Sequence, residues 1–161
     1  MRPVLASDVG EILGLFEAVA AEERWIATEA GFDRARYTEF IKAASRRTAM
    51  TVAFVAVNHK NKIIGEITAY RDPKDQQWSI GMLVHKVYRG RGVGSALLQR
   101  LVDWARGAGI DALHLEVFPH NEAALALYRR FEFVQTAYHK NRLTRKNGEQ
   151  WDTIEMALAL A

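Results

Sequence analysis

Between Val9 and Ala20, apolar residues fall at Val9, Ile12, Leu13, Phe16, Val19 and Ala20, the spacing of one helix face, with Ser7 or Asp8 placed to cap it. Asp33 opens a second such segment with the stripe Tyr37, Phe40, Ile41 and Ala44. From Thr51 the period changes. "TVAFVAVN" and "IIGEITAY" are β-rich runs on either side of the polar turn "HKNK", which predicts a hairpin. "WSIGMLV" predicts a third strand after the loop "RDPKDQQ". Past "VYRGRGVGSALL" a helix runs to about Arg106, with Gly107 and Gly109 as stops. "ALHLEVF" reads as a strand and "NEAALALYRRF" as a helix, and "FVQTAYH" and "WDTIEMALAL" form a closing strand pair around the turn at Asn147–Gly148. Two helices, a meander, then strand–helix–strand–helix–strand–strand predict an α/β (mixed α+β) fold, one domain over residues 1–161.

Composition narrows the chemistry. With 161 residues, 49% hydrophobic and 25% charged, the chain has enough apolar surface for one core without staples. A net charge of +3 is too small a field to make nucleic acid an expected partner. The absence of cysteine excludes disulfides, thiol nucleophiles and Cys-held metals. His114, His120 and His139 are scattered, with no H-x-x-x-H pair, so no metal is expected. The start, "MRPVLASDVGEI", carries acids where a leader would need an apolar run, and apolar runs stay far below the roughly 20 residues that span a bilayer. A cytoplasmic protein without a membrane partner is the expectation.

The stretch "VYRGRGVGSALL" sets Gly90, Gly92 and Gly94 beside Arg89 and Arg91 at the mouth of a helix. Unpaired backbone N–H groups and the macrodipole favour an anion there, and glycine lets it approach the backbone. A Gly-rich turn with two solvated arginines is the plainer alternative. The Walker pattern is missing, and the dinucleotide fingerprint fails at Ser95. The spacing that fits is Arg89-x-x-Gly92-x-Gly94, which resembles the acetyl-CoA signature of the GCN5-related N-acetyltransferase (GNAT) family. "LEVFPHNEAALALYRRFEFV", residues 115–134, is similar to that family's later motif, and the element order follows its layout nearly end to end.

The resemblance implies a central mixed, mostly antiparallel sheet of about seven strands flanked by about four helices. It implies acetyl-CoA as co-substrate, with the pantetheine arm along Met82, Leu83 and Val84 and the pyrophosphate on the amides of Gly90, Arg91, Gly92, Val93, Gly94 and Ser95. Asn121 matches the family asparagine that contacts the cofactor. Tyr128 matches the tyrosine near the thioester sulfur, a proton donor to the departing thiolate, against a plain packing role. The Val84 amide would face the oxyanion. The base stays open between Glu116, Glu66 and water. Glu116 precedes Tyr128 by twelve residues and alternates to the face opposite Leu113, Leu115 and Val117, whereas Glu66 interrupts an apolar strand. Trp78 stands where other branches keep a glutamate. Lys86 replaces a usual proline, and Glu132 a usual glycine, which requires a backbone that a Cβ tolerates.

The implied reaction is transfer of acetyl to a primary amine by direct attack in a ternary complex. A non-catalytic acyl-CoA-binding or regulatory module on the same fold is the alternative. For the acceptor, Glu22, Glu23, Glu29 and Trp25 suit a cation, while Lys140, Arg142, Arg145 and Lys146 suit a carboxylate. Amino acid, peptide N-terminus, polyamine and drug amine therefore stay open. By analogy with the family, the apolar run "IEMALALA" is a possible homodimer contact.

Overall fold

A computed structural model describes residues 1–48 and 50–160; Ala161, the last residue of "IEMALALA", lies outside them. The elements are β1 (Arg2–Pro3), α1 (Val9–Ala20), α2 (Arg34–Ser45), β2 (Thr51–Val57), β3 (Ile63–Arg71), β4 (Trp78–Val84), α3 (Val93–Gly107), β5 (Ala112–Val117), α4 (Glu122–Arg130), β6 (Val134–Thr144) and β7 (Gln150–Ala159). The seven strands form one sheet in the order β1-β2-β3-β4-β5-β7-β6. Every neighbouring pair is antiparallel except β4 and β5, which are parallel.

Strand alternation divides the apolar side chains between two faces. On one face Phe54, Ile67, Leu113, Leu115, Ile154 and Met156 bury against Leu97, Leu98 and Leu101 of α3 and Leu125 of α4. On the other, Ala53 and Val55 meet Ile12 and Leu13 of α1 and Ile41 and Ala44 of α2. α3 comes close enough to β3 that a Cβ on Gly65 would lie 3.0 Å from Leu97 Cδ1 and 3.2 Å from Val93 Cγ1. That seats the start of α3 over the β3–β4 end of the sheet.

The caps differ in detail from the pattern reading. Asp33, read only as the start of the second segment, accepts from the Arg36 N–H at 3.1 Å and caps α2. Asp8 makes no side-chain bond to α1; its carboxylate holds the Arg2 guanidinium at 2.6 and 2.8 Å and the Leu5 N–H at 2.8 Å. Gly148 does turn the β6–β7 hairpin, with φ +87°.

Glu132 lies between α4 and β6 with φ +67°, the left-handed region the substituted glycine would favour. Glu132→Gly is therefore expected to raise stability by about 1 kcal/mol in urea denaturation. An unchanged or lower midpoint would show that the turn is not strained.

Candidate active site

β4 and β5 pair only at Trp78–Leu113 and Ser79–His114 and then part, leaving a gap along the second half of β4. The orientation of the β4 backbone in that gap follows from its other neighbour. The His85 N–H donates to the Ile64 carbonyl at 2.9 Å, so antiparallel alternation makes Leu83–Glu66 a hydrogen-bonded pair. Met82 and Val84 then turn their N–H and C=O groups away from β3, into the gap. The Val84 carbonyl accepts from Arg89 Nε at 2.9 Å, which leaves N–H groups as the free donors on this edge.

The gap continues into the entrance of α3. Gly90 and Gly92 have φ +69° and +81°, and a Cβ on either would project into open space. Among the described residues the amides of Gly90 to Ser95 have no acceptor; the first bond of the helix runs from the Ala96 N–H to the Gly92 carbonyl, at 3.0 Å. This is a row of unsatisfied donors at the positive end of a fifteen-residue helix. Arg130 adds charge there, donating to Ser95 Oγ at 2.5 Å.

Gly92→Val places a branched side chain in the left-handed region and in front of these amides. We expect acetyl-CoA affinity to fall at least about tenfold by calorimetry, with about 1–2 kcal/mol lost in stability. Unchanged affinity would place the anion elsewhere.

Two expected contributors stand apart from the row. The Arg89 side chain, offered by sequence to phosphate, is instead held by Glu22, at 2.7 Å from each of its two terminal nitrogens, and stacks 5.8 Å from the Trp25 ring. The pairing holds Glu22 below the usual carboxylate range. Arg91 is exposed, 6.0 Å over Tyr88, and the Val93 side chain packs toward Gly65, which leaves the Val93 backbone to the row.

From this entrance a cleft of about 1320 Å³ runs along the sheet toward Arg36, Phe40 and Tyr70. Met82, Leu83, Val84, Gly90, Gly92, Gly94, Ser95, Asn121, Tyr128, Glu66 and Glu116 all line it. The Asn121 carboxamide oxygen caps α4, accepting from the Ala124 N–H at 3.3 Å. Tyr128 is 7% exposed; its hydroxyl has no protein partner among the described residues and is not sealed from the cleft. Burial pushes its phenol up to about 12.

The two carboxyls share the sheet face toward α1 and α2 but differ in setting. Glu66 is 4% exposed; Thr68 Oγ1 donates to its Oε1, and Oε2 keeps access to the cleft. Desolvation pushes it up to about 8. Glu116 is half-exposed and occupied on both oxygens: Arg142 donates at 2.9 and 3.3 Å and Thr153 Oγ1 at 2.8 Å. Burial raises its pKa, but these donors outweigh that and hold it below the ordinary value.

The family described as Acetyltransferase (GNAT) matches residues 16–133. The chain belongs to it. Among GNAT-related sequences, the [ribosomal protein bS18]-alanine N-acetyltransferase of Escherichia coli K12 is 33% identical over 87 residues, 54% of this chain and 58% of that protein. The N-alpha-acetyltransferase RimI of Mycobacterium tuberculosis is 50% identical over 57 residues, 35% of this chain and 34% of that one. The chain spans about half the length of the curated relatives it matches. The structure of a GNAT superfamily phosphinothricin acetyltransferase from Sinorhizobium meliloti in complex with acetyl-CoA superposes with a TM-score of 0.88 at 19% identity, covering 99% of this chain and 87% of that one. The seven-stranded mixed sheet with four helices is thus the GNAT fold.

Several groups in this GNAT cleft escape sequence reading. Arg130 reaches Ser95 across 35 residues, Arg142 meets Glu116 across 26, and Arg36 lines the cleft. Only the basic run at 140–146 hints at one of them. The acids expected to draw in a cationic acceptor are already bound or turned away. Glu22 holds Arg89 and accepts from Trp25 Nε1 at 2.7 Å, and Glu29 accepts from the Lys146 N–H at 3.1 and 3.2 Å. Glu23 lines a separate small hollow. Among the described residues, no helix is long and apolar enough to cross a membrane.

Proposed function

We propose that the protein is an acetyl-CoA-dependent N-acetyltransferase that moves the acetyl group to a primary amine by direct attack in a ternary complex. One observation carries this reading: a run of partnerless amides, from Met82 and Val84 to Gly90–Ser95, borders the cleft that Tyr128 and Glu66 also line. These groups fit acetyl-CoA. The strip offers N–H donors to an extended amide-bearing arm and then to a diphosphate, and open space lies where Cβ atoms at Gly90 and Gly92 would stand. The bound co-substrate supplies an acetyl group activated as a thioester.

The residues divide the proton work. Glu66 removes a proton from the acceptor ammonium; a carboxyl held near 8 is better matched to that task at neutral pH than Glu116, both of whose oxygens already accept from Arg142 or Thr153. The Val84 N–H is free to stabilise charge developing on the carbonyl oxygen. As the C–N bond forms and the C–S bond breaks, the Tyr128 phenol gives its proton to the thiolate and regains one from the amine nitrogen. The net products are an acetamide, a thiol and one proton.

The test is release of CoA thiol from acetyl-CoA in the presence of free amino acids, their amides, short peptides and polyamines. Release with at least one class is expected. Thermal stabilisation by acetyl-CoA with no release for any amine would instead favour the binding-module reading.

A further inference from the structure

We propose that Gly81 determines acceptor specificity: the acceptor amine sits on a carbon carrying an apolar side chain of several carbons, and that side chain lies across the Gly81 backbone. The inference rests on the acetyltransferase reading and adds the acceptor's class to it. Among the described residues four glycines line the cleft, and three have a reason in the fold. Gly90 and Gly92 take positive φ, and a Cβ on Gly94 would lie 3.3 Å from Leu127 Cδ2. Gly81 has neither constraint: its φ lies outside the left-handed region, and a Cβ there would meet nothing within 4 Å. It is nevertheless exposed halfway along β4, the middle strand of the seven. Glycine weakens a strand interior, and one kept there without steric or dihedral need marks the close approach of a ligand.

Strand register points to the acceptor as that ligand. The Asp72 N–H donates to the Gln77 carbonyl and the His85 N–H to the Ile64 carbonyl, both at 2.9 Å, so Gly81–Thr68 between them is a hydrogen-bonded pair. The Gly81 N–H and C=O are thus spent on β3, whereas the cofactor edge at Met82 and Val84 faces the other way. What Gly81 offers is room, on the face it shares with Thr68. Glu66 stands on that face as the diagonal neighbour of Gly81, about 7–8 Å away between α-carbons. An amine giving its proton to Glu66 therefore has its substituents beside Gly81. Thr68 gives its hydroxyl to Glu66, and across the gap Glu116 is paired with Arg142. The next residue in the row is Tyr70, opposite Ser79 and edge-on to Phe40 at 6.1 Å. The row beside and beyond Gly81 suits an apolar side chain.

The experiment measures kcat/KM for glycinamide, alaninamide, leucinamide and phenylalaninamide, and acetyl-CoA affinity by calorimetry, on wild type, Gly81→Ala and Gly81→Leu. Wild type is expected to prefer leucinamide or phenylalaninamide over glycinamide at least about tenfold. Gly81→Leu should cut that ratio at least about tenfold, through KM, and Gly81→Ala by less, with acetyl-CoA affinity within about twofold in both. Because the Cβ position is open, Gly81→Ala should melt no lower than wild type, so it reads the effect even where Gly81→Leu folds poorly. Equal turnover of all four amides by wild type, or a size preference untouched by either variant, overturns the Gly81 assignment and leaves the acetyltransferase reading standing. Acetyl-CoA affinity falling in step with kcat/KM, or thiol release with polyamines alone, does the same. No release from wild type with any amine overturns both.

Discussion

Tyr128→Phe is expected to lower turnover by about 100-fold or more while leaving acetyl-CoA affinity within about twofold. The asymmetry follows from where the hydroxyl sits. The ring belongs to the buried core, packing 5.6 Å from Phe133, and phenylalanine preserves that contact and the fold. Among the described residues the lost oxygen bonds to no protein group, so nothing there is left unpaired by its removal and stability should hold within about 0.5 kcal/mol. A phenol near 12 stays protonated through the working range, as a donor to a departing thiolate must. Stopped-flow or steady-state kinetics at saturating acetyl-CoA reads the effect. Turnover equal to wild type would remove Tyr128 from proton transfer and reduce it to a packing residue.

Glu66→Gln is expected to produce two effects of opposite sign. Turnover falls about 100-fold, and the part of the pH–rate profile that rises toward an apparent pKa near 8 disappears, because the group that must ionise is gone. Stability rises, and the sign can be worked through. The folded-state value lies above the unfolded value of about 4.5, so both states are protonated in strong acid and the group contributes no difference there. Between about pH 4.5 and 8 the unfolded chain sheds the proton while the folded chain keeps it, and wild-type stability falls; above about 8 the loss is complete. Each unit is worth about 1.4 kcal/mol, so by pH 8.5 the glutamine variant should exceed wild type by on the order of 4 kcal/mol, and by little at pH 5. Urea midpoints at the two pH values read this. A constant difference would mean Glu66 is already ionised in the folded protein. Survival of the limb near 8 in Glu66→Gln would return the base role to Glu116 or water.

What the sequence made legible was local. The apolar stripe from Val9 to Ala20, the hairpin around "HKNK" and the glycine entrance to α3 each depend on neighbouring residues, and all appear in the structure within a few residues of their expected bounds. Even the departure at Glu132 was informative, since a glycine position signals a φ value and φ is +67° there. β1 could not be read: two residues have no periodicity, and Arg2 and Pro3 become a strand only by lying against Val55 and Phe54. β6 runs on to Thr144 because β7 carries it past two register shifts, a tertiary effect. The site divided along the same line. Backbone donors followed from motif spacing, whereas the environments of the side chains did not. Arg89 looks free in sequence and is claimed by Glu22 from 67 residues away. Glu66 and Glu116 read alike as lone strand carboxylates, and only packing separates the dry one from the one paired with Arg142.

The most direct measurement is a crystal structure of the protein with acetyl-CoA at saturating concentration. The diphosphate should be held by the amides between Gly90 and Ser95, the pantetheine arm should bond the Met82 and Val84 backbone between β4 and β5, and the thioester sulfur should lie within hydrogen-bonding reach of the Tyr128 hydroxyl. A diphosphate seated elsewhere, or an acyl end directed away from Tyr128 with the β4–β5 gap empty, would contradict the assignment.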